Sequence, residues 1–269
     1  MSRSLRHCLL RWAAPAAVVA AAALLSPAAS AAGYGDVTGK VVFDGEAPVL
    51  APRIAQGASK TKDGQPVKDQ PICAADAVPD FGLVVGEDNG IAHVFLYPTR
   101  PIRNVKPELK APPKDPVVVD QQGCVFKPHA LIVRTGQPMQ LKSSDAAPHN
   151  VRFTSFGNPG LNLNVPPNGK IDKPVVFRRG QMVPIPALCD FHPWMKANWL
   201  IVDHPYAALT DETGEFKIEG LPAGKHTFTV WHESAGFLTR TLSVEVKENG
   251  VTEIAPLKYD LAAFKNLKQ

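Results

Sequence analysis

Short runs in which apolar and polar residues alternate recur along most of the chain. "VTGKVVF" (37–43), "AHVFLYP" (92–98), "PVVVD" (116–120), "ALIVRT" (130–135), "PMQLKS" (138–143) and "NVRFTS" (150–155) come first. "WLIVD" (199–203), "GEFKIEG" (214–220), "HTFTVWH" (226–232) and "TLSVEVKE" (241–248) follow. Each is rich in β-branched or aromatic residues and is bounded by Gly, Pro, Asp or Asn, the signature of a short strand between turns. A period of two sends successive side chains to opposite faces of a sheet, so each run predicts a strand with one buried face. The 26 prolines and 20 glycines suit frequent turns and oppose long helices. The fold class this predicts is all-β, built as sandwiches or barrels. "YDLAAFKNL" (259–267) predicts one short C-terminal helix.

Two stretches break the pattern. Residues 46–90 are poor in periodic apolar positions and rich in Pro, Gly and charge, which predicts a long loop. A loop of that length needs a tether or a function. The first 32 residues carry Arg3, Arg6 and Arg11, then an Ala-rich apolar run, then small residues. That is the layout of a signal peptide, with cleavage at Ala31 or Ala32. The expected mature protein is periplasmic or secreted, and no later run is apolar enough to span a membrane. Its charge is close to balanced: 29 Lys+Arg against 25 Asp+Glu become 26 against 25 once the three leader arginines are removed. No basic patch interleaved with aromatics points to nucleic acid.

Of the four cysteines, Cys8 lies in the leader, leaving Cys73, Cys124 and Cys189. In an oxidising compartment an odd cysteine needs an explanation. Cys189 has His192 and Met195 beside it, so the expected disulfide is Cys73–Cys124, with Cys189 kept as a thiolate. Other pairings, or none, stay open, because sequence does not fix connectivity. A Cys73–Cys124 bridge supplies the tether that the long loop needs.

The stretch "LCDFHPWMK" (188–196) holds the candidate chemistry. Thiolate, imidazole and thioether are soft or borderline donors, unlike the oxygen sets of Ca²⁺ and Mg²⁺. Structural zinc uses Cys and His without Met. Two His, one Cys and a weak axial Met make the blue-copper set. Cys189, His192 and Met195 supply three members. His149, in "SDAAPHNVRF", stands after a proline and just ahead of an alternating strand, where a loop mouth meets a rigid sheet.

"APHNVRF" (147–153) followed by "CDFHPWM" (189–195) resembles a cupredoxin, and within that family the amicyanin-like type with a short Cys-x-x-His-Pro-x-Met loop. The resemblance runs from "PVVVDQQGC" to "WLIVD". It implies a Greek-key sandwich and one type 1 copper bound by His149, Cys189, His192 and Met195. It also implies that Asn150 hydrogen-bonds across to the Cys loop and that Pro193 stiffens it. Phe191 and Trp194 would shield the metal, form an apolar docking surface around His192, or pack on the sheet. The chain departs from the family just before the Cys, where Pro184 and Pro186 predict an edge or irregular run.

"ALTDETGEFKIEGLPAGKHTFTVWHE" (208–233) resembles the carboxypeptidase regulatory-like module, a small transthyretin-like β-sandwich. Its missing strands would be "GDVTGKVVFDG" and "IAHVFLYPT". The expected organisation is therefore a leader at 1–32, then opening strands and the long loop at 33–112. A cupredoxin domain follows at 113–203, the rest of the sandwich at 204–258, and a tail at 259–269. Pairing of residues 37–44 with 214–247 is what insertion requires; two sequential domains are the alternative. His204 and the His232–Glu233 pair would make a second metal site only if folded together.

These features imply an exported electron carrier, passing single electrons through a partly exposed His192 edge to a c-type cytochrome or a dehydrogenase. The alternatives are a copper chaperone or sensor, or a β-sandwich binding or adhesion protein. No enzyme is expected, since no triad or paired carboxylates appear and a full ligand set leaves no open position.

Overall fold

The computed structural model describes residues 33–267. The leader expected at 1–32, with its cleavage point at Ala31 or Ala32, lies outside the described residues.

Strands make up most of the regular structure, and helix is confined to single short turns. It opens with β1 (Tyr34–Phe43) and β2 (Phe95–Pro98). Next come β3 (Val117–Gln121), β4 (Phe126–Lys127), β5 (Ala130–Arg134), β6 (Pro138–Ser143), β7 (His149–Phe153) and β8 (Leu161–Val165). They are followed by β9 (Val175–Val176), β10 (Ile185–Leu188), β11 (Lys196–Val202) and β12 (Ala208–Leu209). The last are β13 (Glu215–Pro222), β14 (Gly224–His232), β15 (Gly236–Val246), β16 (Val251–Glu253) and β17 (Leu257–Tyr259). Alternation in sequence becomes alternation in burial. In β13, Phe216 and Ile218 are buried while Glu215, Lys217 and Glu219 face solvent.

Two sheets face each other across one core. In the first, β1 is central, antiparallel to β13 from Tyr34↔Pro222 to Lys40↔Glu215, and parallel to β16 and β17. The second runs β12-β2-β14-β15. Val37, Val41, Phe216, Ile218, Leu96, Phe228, Val230 and Val244 fill the space between them. The turn into β13 depends on Asp211, whose side chain accepts the N–H groups of Thr213 and Glu215. Gly214 follows at φ 78° and packs against the Val41 carbonyl, where a Cβ would collide.

A second pair of sheets has its own core. One runs β5-β11-β10-β7-β8, the other β4-β3-β6-β9. Val119, Phe126, Met139, Leu141, Phe153 and Trp199 lie between them. β11 is buried on both faces. Ala197, Trp199 and Ile201 point into this core, while Leu200 and Val202 pack with Phe95 and Tyr97 of β2. That is why "ANWLIV" reads as a continuous apolar run rather than an alternating one.

Three expectations differ from the structure. The C-terminal helix is a single 3₁₀ turn, Leu261–Ala263. Tyr259 is drawn into β17 opposite Phe43, and Phe264 is buried against the Phe43 ring, so tertiary contacts override the local helical pattern. The segment before Cys189 is interior rather than at an edge: β10 lies between β11 and β7. Its ladder to β11 covers four residues, but its ladder to β7 holds only Ala187 and Leu188, beyond Pro186. A proline nitrogen has no hydrogen to give, so the ladder starts after it. Finally, residues 46–90 are not a loose loop. They contain one turn of helix, α1 (Gln70–Cys73), and bury Ile54, Cys73, Ala74 and Val78 in the second core.

Candidate metal centre

Sheet order assembles the site. Cys189 directly follows β10, and the loop to β11 carries His192 and Met195. β7 is the other neighbour of β10, with Leu188 opposite Arg152. Extending that antiparallel register brings His149, the first residue of β7, level with the Cys loop. The loop closes on itself: the Cys189 N–H donates to the Met195 carbonyl at 3.3 Å, and the Met195 N–H to the His192 carbonyl at 2.8 Å. Asn150 clamps it to β7. Its Oδ1 accepts the Asp190 N–H at 2.6 Å, and its Nδ2 donates to Asp190 and Asn162. Arg152 holds the same Asp190 at 2.7 Å. Pro193 is exposed on the loop between His192 and Trp194.

Three donor atoms converge. His149 Nδ1 and His192 Nδ1 are 3.0 Å apart, and the Cys189 sulfur lies 3.9 and 3.7 Å from them. The circle through these atoms has a radius of about 2.1 Å, close to the bonds of about 2.0–2.3 Å that nitrogen and sulfur ligands make to zinc. All three residues are at most 2% exposed. Met195 is equally buried on the same loop.

The outer ring nitrogens are occupied. His149 Nε2 donates to Asp145 and His192 Nε2 to Asp69, each at 2.9 Å. A carboxylate only accepts, so each Nε2 carries a hydrogen and both Nδ1 atoms are turned inward, towards the sulfur. Asp145 is buried and also accepts the N–H groups of Gly123 and Cys124. Burial raises its pKa, but the bonds to His149, Cys124 and Gly123 outweigh that and hold it below the usual carboxylate range. Burial likewise lowers His149, and its bonds to Asp145 and Cys189 outweigh that and push it up to about 9. Burial pushes the Cys189 thiol up, but the rings of His149 and His192 and the N–H groups of Asn150 and His192 hold it down at about 6. Both imidazoles thus favour the thiolate, the form of the sulfur that ligates a metal.

Cys73 and Cys124 form a disulfide, and Cys189 is the free cysteine among the described residues. The bridge lies against the site. Cys73, Cys124 and His192 place donor atoms within 4.8 Å of one another, and so do Cys124, Asp145 and His149.

One expectation fails here. His192 is not partly exposed but fully buried, because Asp69 from the long loop covers its outer nitrogen. His204 and His232 are not brought together. His204 faces Tyr206, whereas His232 packs on Phe264. Glu233 pairs instead with His129 and Lys196. The two aromatics of the Cys loop divide: Trp194 is buried edge-on to the His192 ring, and Phe191 is exposed. Sequence reading missed both carboxylates. Asp145 stands four residues before His149, a signal available in "SDAAPHN"; Asp69 lies 123 residues from its partner and has none. Among the described residues no helix is long and apolar enough to cross a membrane.

No protein-family model matches the chain, and no curated protein matches it. Among solved structures it is similar to a purple cupredoxin from Nitrosopumilus maritimus, at 15% identity and TM-score 0.27, over 32% of this chain and 99% of that one. It is also similar to a reduced amicyanin variant, at 20% identity and TM-score 0.29, over 35% of this chain and 93% of that one. A third is the copper-containing nitrite reductase from Thermus scotoductus, at 16% identity and TM-score 0.30, over 51% of this chain and 34% of that one. Scores at this level assign neither a family nor an activity.

Proposed function

We propose that this chain is an exported copper protein that carries single electrons at one mononuclear type 1 site. The observation that carries this reading is the triangle of His149 Nδ1, His192 Nδ1 and the Cys189 sulfur, buried and of ligand-bond dimensions. Two imidazoles and a thiolate favour copper over hard cations, and Met195 completes the His…Cys-x-x-His-x-x-Met order as the weak axial donor. Bound there, copper supplies exchange of one electron between Cu(I) and Cu(II).

The chain's own residues make that exchange cheap. Asn150 and Arg152 pin Asp190, so the short ligand loop has little freedom to move. Burial of the donors excludes water and external ligands. Asp69 and Asp145 fix the ring tautomers. A full, closed ligand set suits a carrier rather than an enzyme. A chaperone or sensor would need an open site, and no observation favours that reading. The electron partner is a c-type cytochrome or a dehydrogenase in the periplasm. Since His192 is covered, we assign the contact to the exposed Phe191 face of the same loop.

The same reading divides the chain. Residues 33–112 and 204–258 build a regulatory-like β-sandwich, and 113–203 are a cupredoxin domain inserted in it. The β1–β13 ladder supports the division, because it joins the two outer segments directly.

The test is to load the mature chain with Cu(II) and record visible and paramagnetic-resonance spectra. An intense thiolate-to-copper band that vanishes in Cys189→Ser supports the carrier. A colourless protein selective for Cu(I) points to the chaperone, and a chain that binds no copper leaves only the binding or adhesion role.

A further inference from the structure

The ligand motif does not contain Asp69, yet this residue occupies the one nitrogen of His192 that would otherwise reach water. Its own conformation is unusual. Asp69 sits in the left-handed region at φ 51°, at the N-cap of α1, but its side chain makes no cap bond. An aspartate at that position ordinarily turns its carboxylate onto the helix N–H groups. Here the backbone carbonyl does the local work, accepting the N–H groups of Ile72 and Cys73. The carboxylate is spent on His192, 123 residues away. The Asp69 side chain is 41% exposed and the His192 ring is fully buried, so the carboxylate stands between the ring and solvent.

The covalent link explains how so distant a residue is held. Cys73 ends α1, four residues after Asp69, and bonds to Cys124. Cys124 is also left-handed, at φ 55°, and gives its N–H to Asp145. The same Asp145 oxygen accepts the hydrogen bond of His149 Nε2–H. A continuous belt thus runs from His192 through Asp69, Cys73, Cys124 and Asp145 to His149. We propose that Asp69 is a positioning residue of the metal centre, holding the His192 ring and closing its outer edge, and that the Cys73–Cys124 disulfide serves to keep it there. This rests on the metal reading above and deepens it: the segment 46–90 is part of the centre rather than a loop beside it.

The experiment uses the full mature chain and two independent readouts. In metal-free protein, the labelling rate of Cys189 by a maleimide is compared between wild type, Asp69→Ala and Asp69→Asn. Labelling several-fold faster in Asp69→Ala, with a wild-type circular dichroism spectrum, is the expected result. In copper-loaded protein, Asp69→Ala should bind copper about 10–100-fold more weakly against a competing chelator, the usual effect of removing an outer partner of a ligand histidine. Its reduction potential should rise, since a negative charge beside the oxidised centre is gone. Asp69→Asn keeps an acceptor for Nε2, so it should recover most of the affinity while keeping the raised potential. A purely structural aspartate would not separate the two. Cys73→Ser/Cys124→Ser should reproduce Asp69→Ala; if that variant does not fold, the Asp69 variants decide alone. Wild-type labelling, affinity and potential in Asp69→Ala would overturn the proposal. If no form binds copper, the electron-carrier reading falls, and the labelling rates still decide whether Asp69 closes the site.

Discussion

Replacing Cys73 and Cys124 together by alanine removes a covalent link between residues 51 positions apart. In the unfolded chain that link forbids most arrangements of the intervening segment. For a loop of this length the chain-entropy relation gives about 4 kcal/mol at room temperature. A chain of this size shifts by about 2–4 °C per kcal/mol, so the melting temperature should fall by about 8–16 °C. The assay is thermal and urea unfolding of metal-free protein without reductant, followed by circular dichroism. The urea midpoint should fall while the slope rises slightly, because the unfolded variant is less compact. The segment also has apolar anchors in Ile54, Ala74 and Val78, all buried in the core. A loss below about 1 kcal/mol would mean that these anchors hold the segment unaided and that the entropic argument is wrong for this loop.

Other substitutions test the cores and the polar contacts. Trp199→Ala removes a fully buried ring packed on Phe126 and Phe153, and should lower urea-unfolding stability by about 3–5 kcal/mol. Asn150→Ala breaks the clamp on Asp190 and should cost about 1–2 kcal/mol in the same assay, while broadening the copper spectrum as the loop loosens. Glu233→Gln removes the charge that pairs with His129 and with the part-exposed Lys196, and should cost about 1–3 kcal/mol at neutral pH. Burial raises the Glu233 pKa, but His129 and Lys196 outweigh it and depress the value strongly. A depressed carboxyl contributes fully above its unfolded value of about 4.5 and loses that contribution as pH falls. The stability gap between Glu233→Gln and wild type should therefore close in acid; a gap that stays constant would refute the pairing.

What could be read from the sequence depended on how local each signal was. Long alternating runs such as "GEFKIEG" carry their own face and period, so β13 was visible. β4, β9 and β12 have two residues each and exist only because a neighbour pairs with them. β8, "LNLNV", does alternate, yet its short apolar pattern is masked by the turn residues on either side. β10 looked like a break because prolines forbid a full ladder, but a strand needs only the N–H groups on the side it uses. The spacing of the candidate residues from Cys189 to Met195 was legible because one short loop carries all three. The carboxylate behind His192 was not, because Asp69 stands 123 residues away and only the folded chain brings it there.

The ladders of β1 carry a consequence for the order of folding. Its partners lie far along the chain, from Lys40↔Glu215 to Phe43↔Tyr259, separations of 175 and 216 residues. Contacts of such sequence distance form late and slowly. As the chain emerges, β1 has only its short contact with Gly90 and Ile91 until nearly all of it has been delivered. During that interval Val37, Val41 and Phe43 lack the cover of β13, β16 and β17. The intervening strands can close around the Cys loop well before β1 is paired, so a folded ligand site is expected to precede completion of the outer sandwich. Aggregation during folding should then be governed by the exposed face of β1 rather than by the region around the Cys loop.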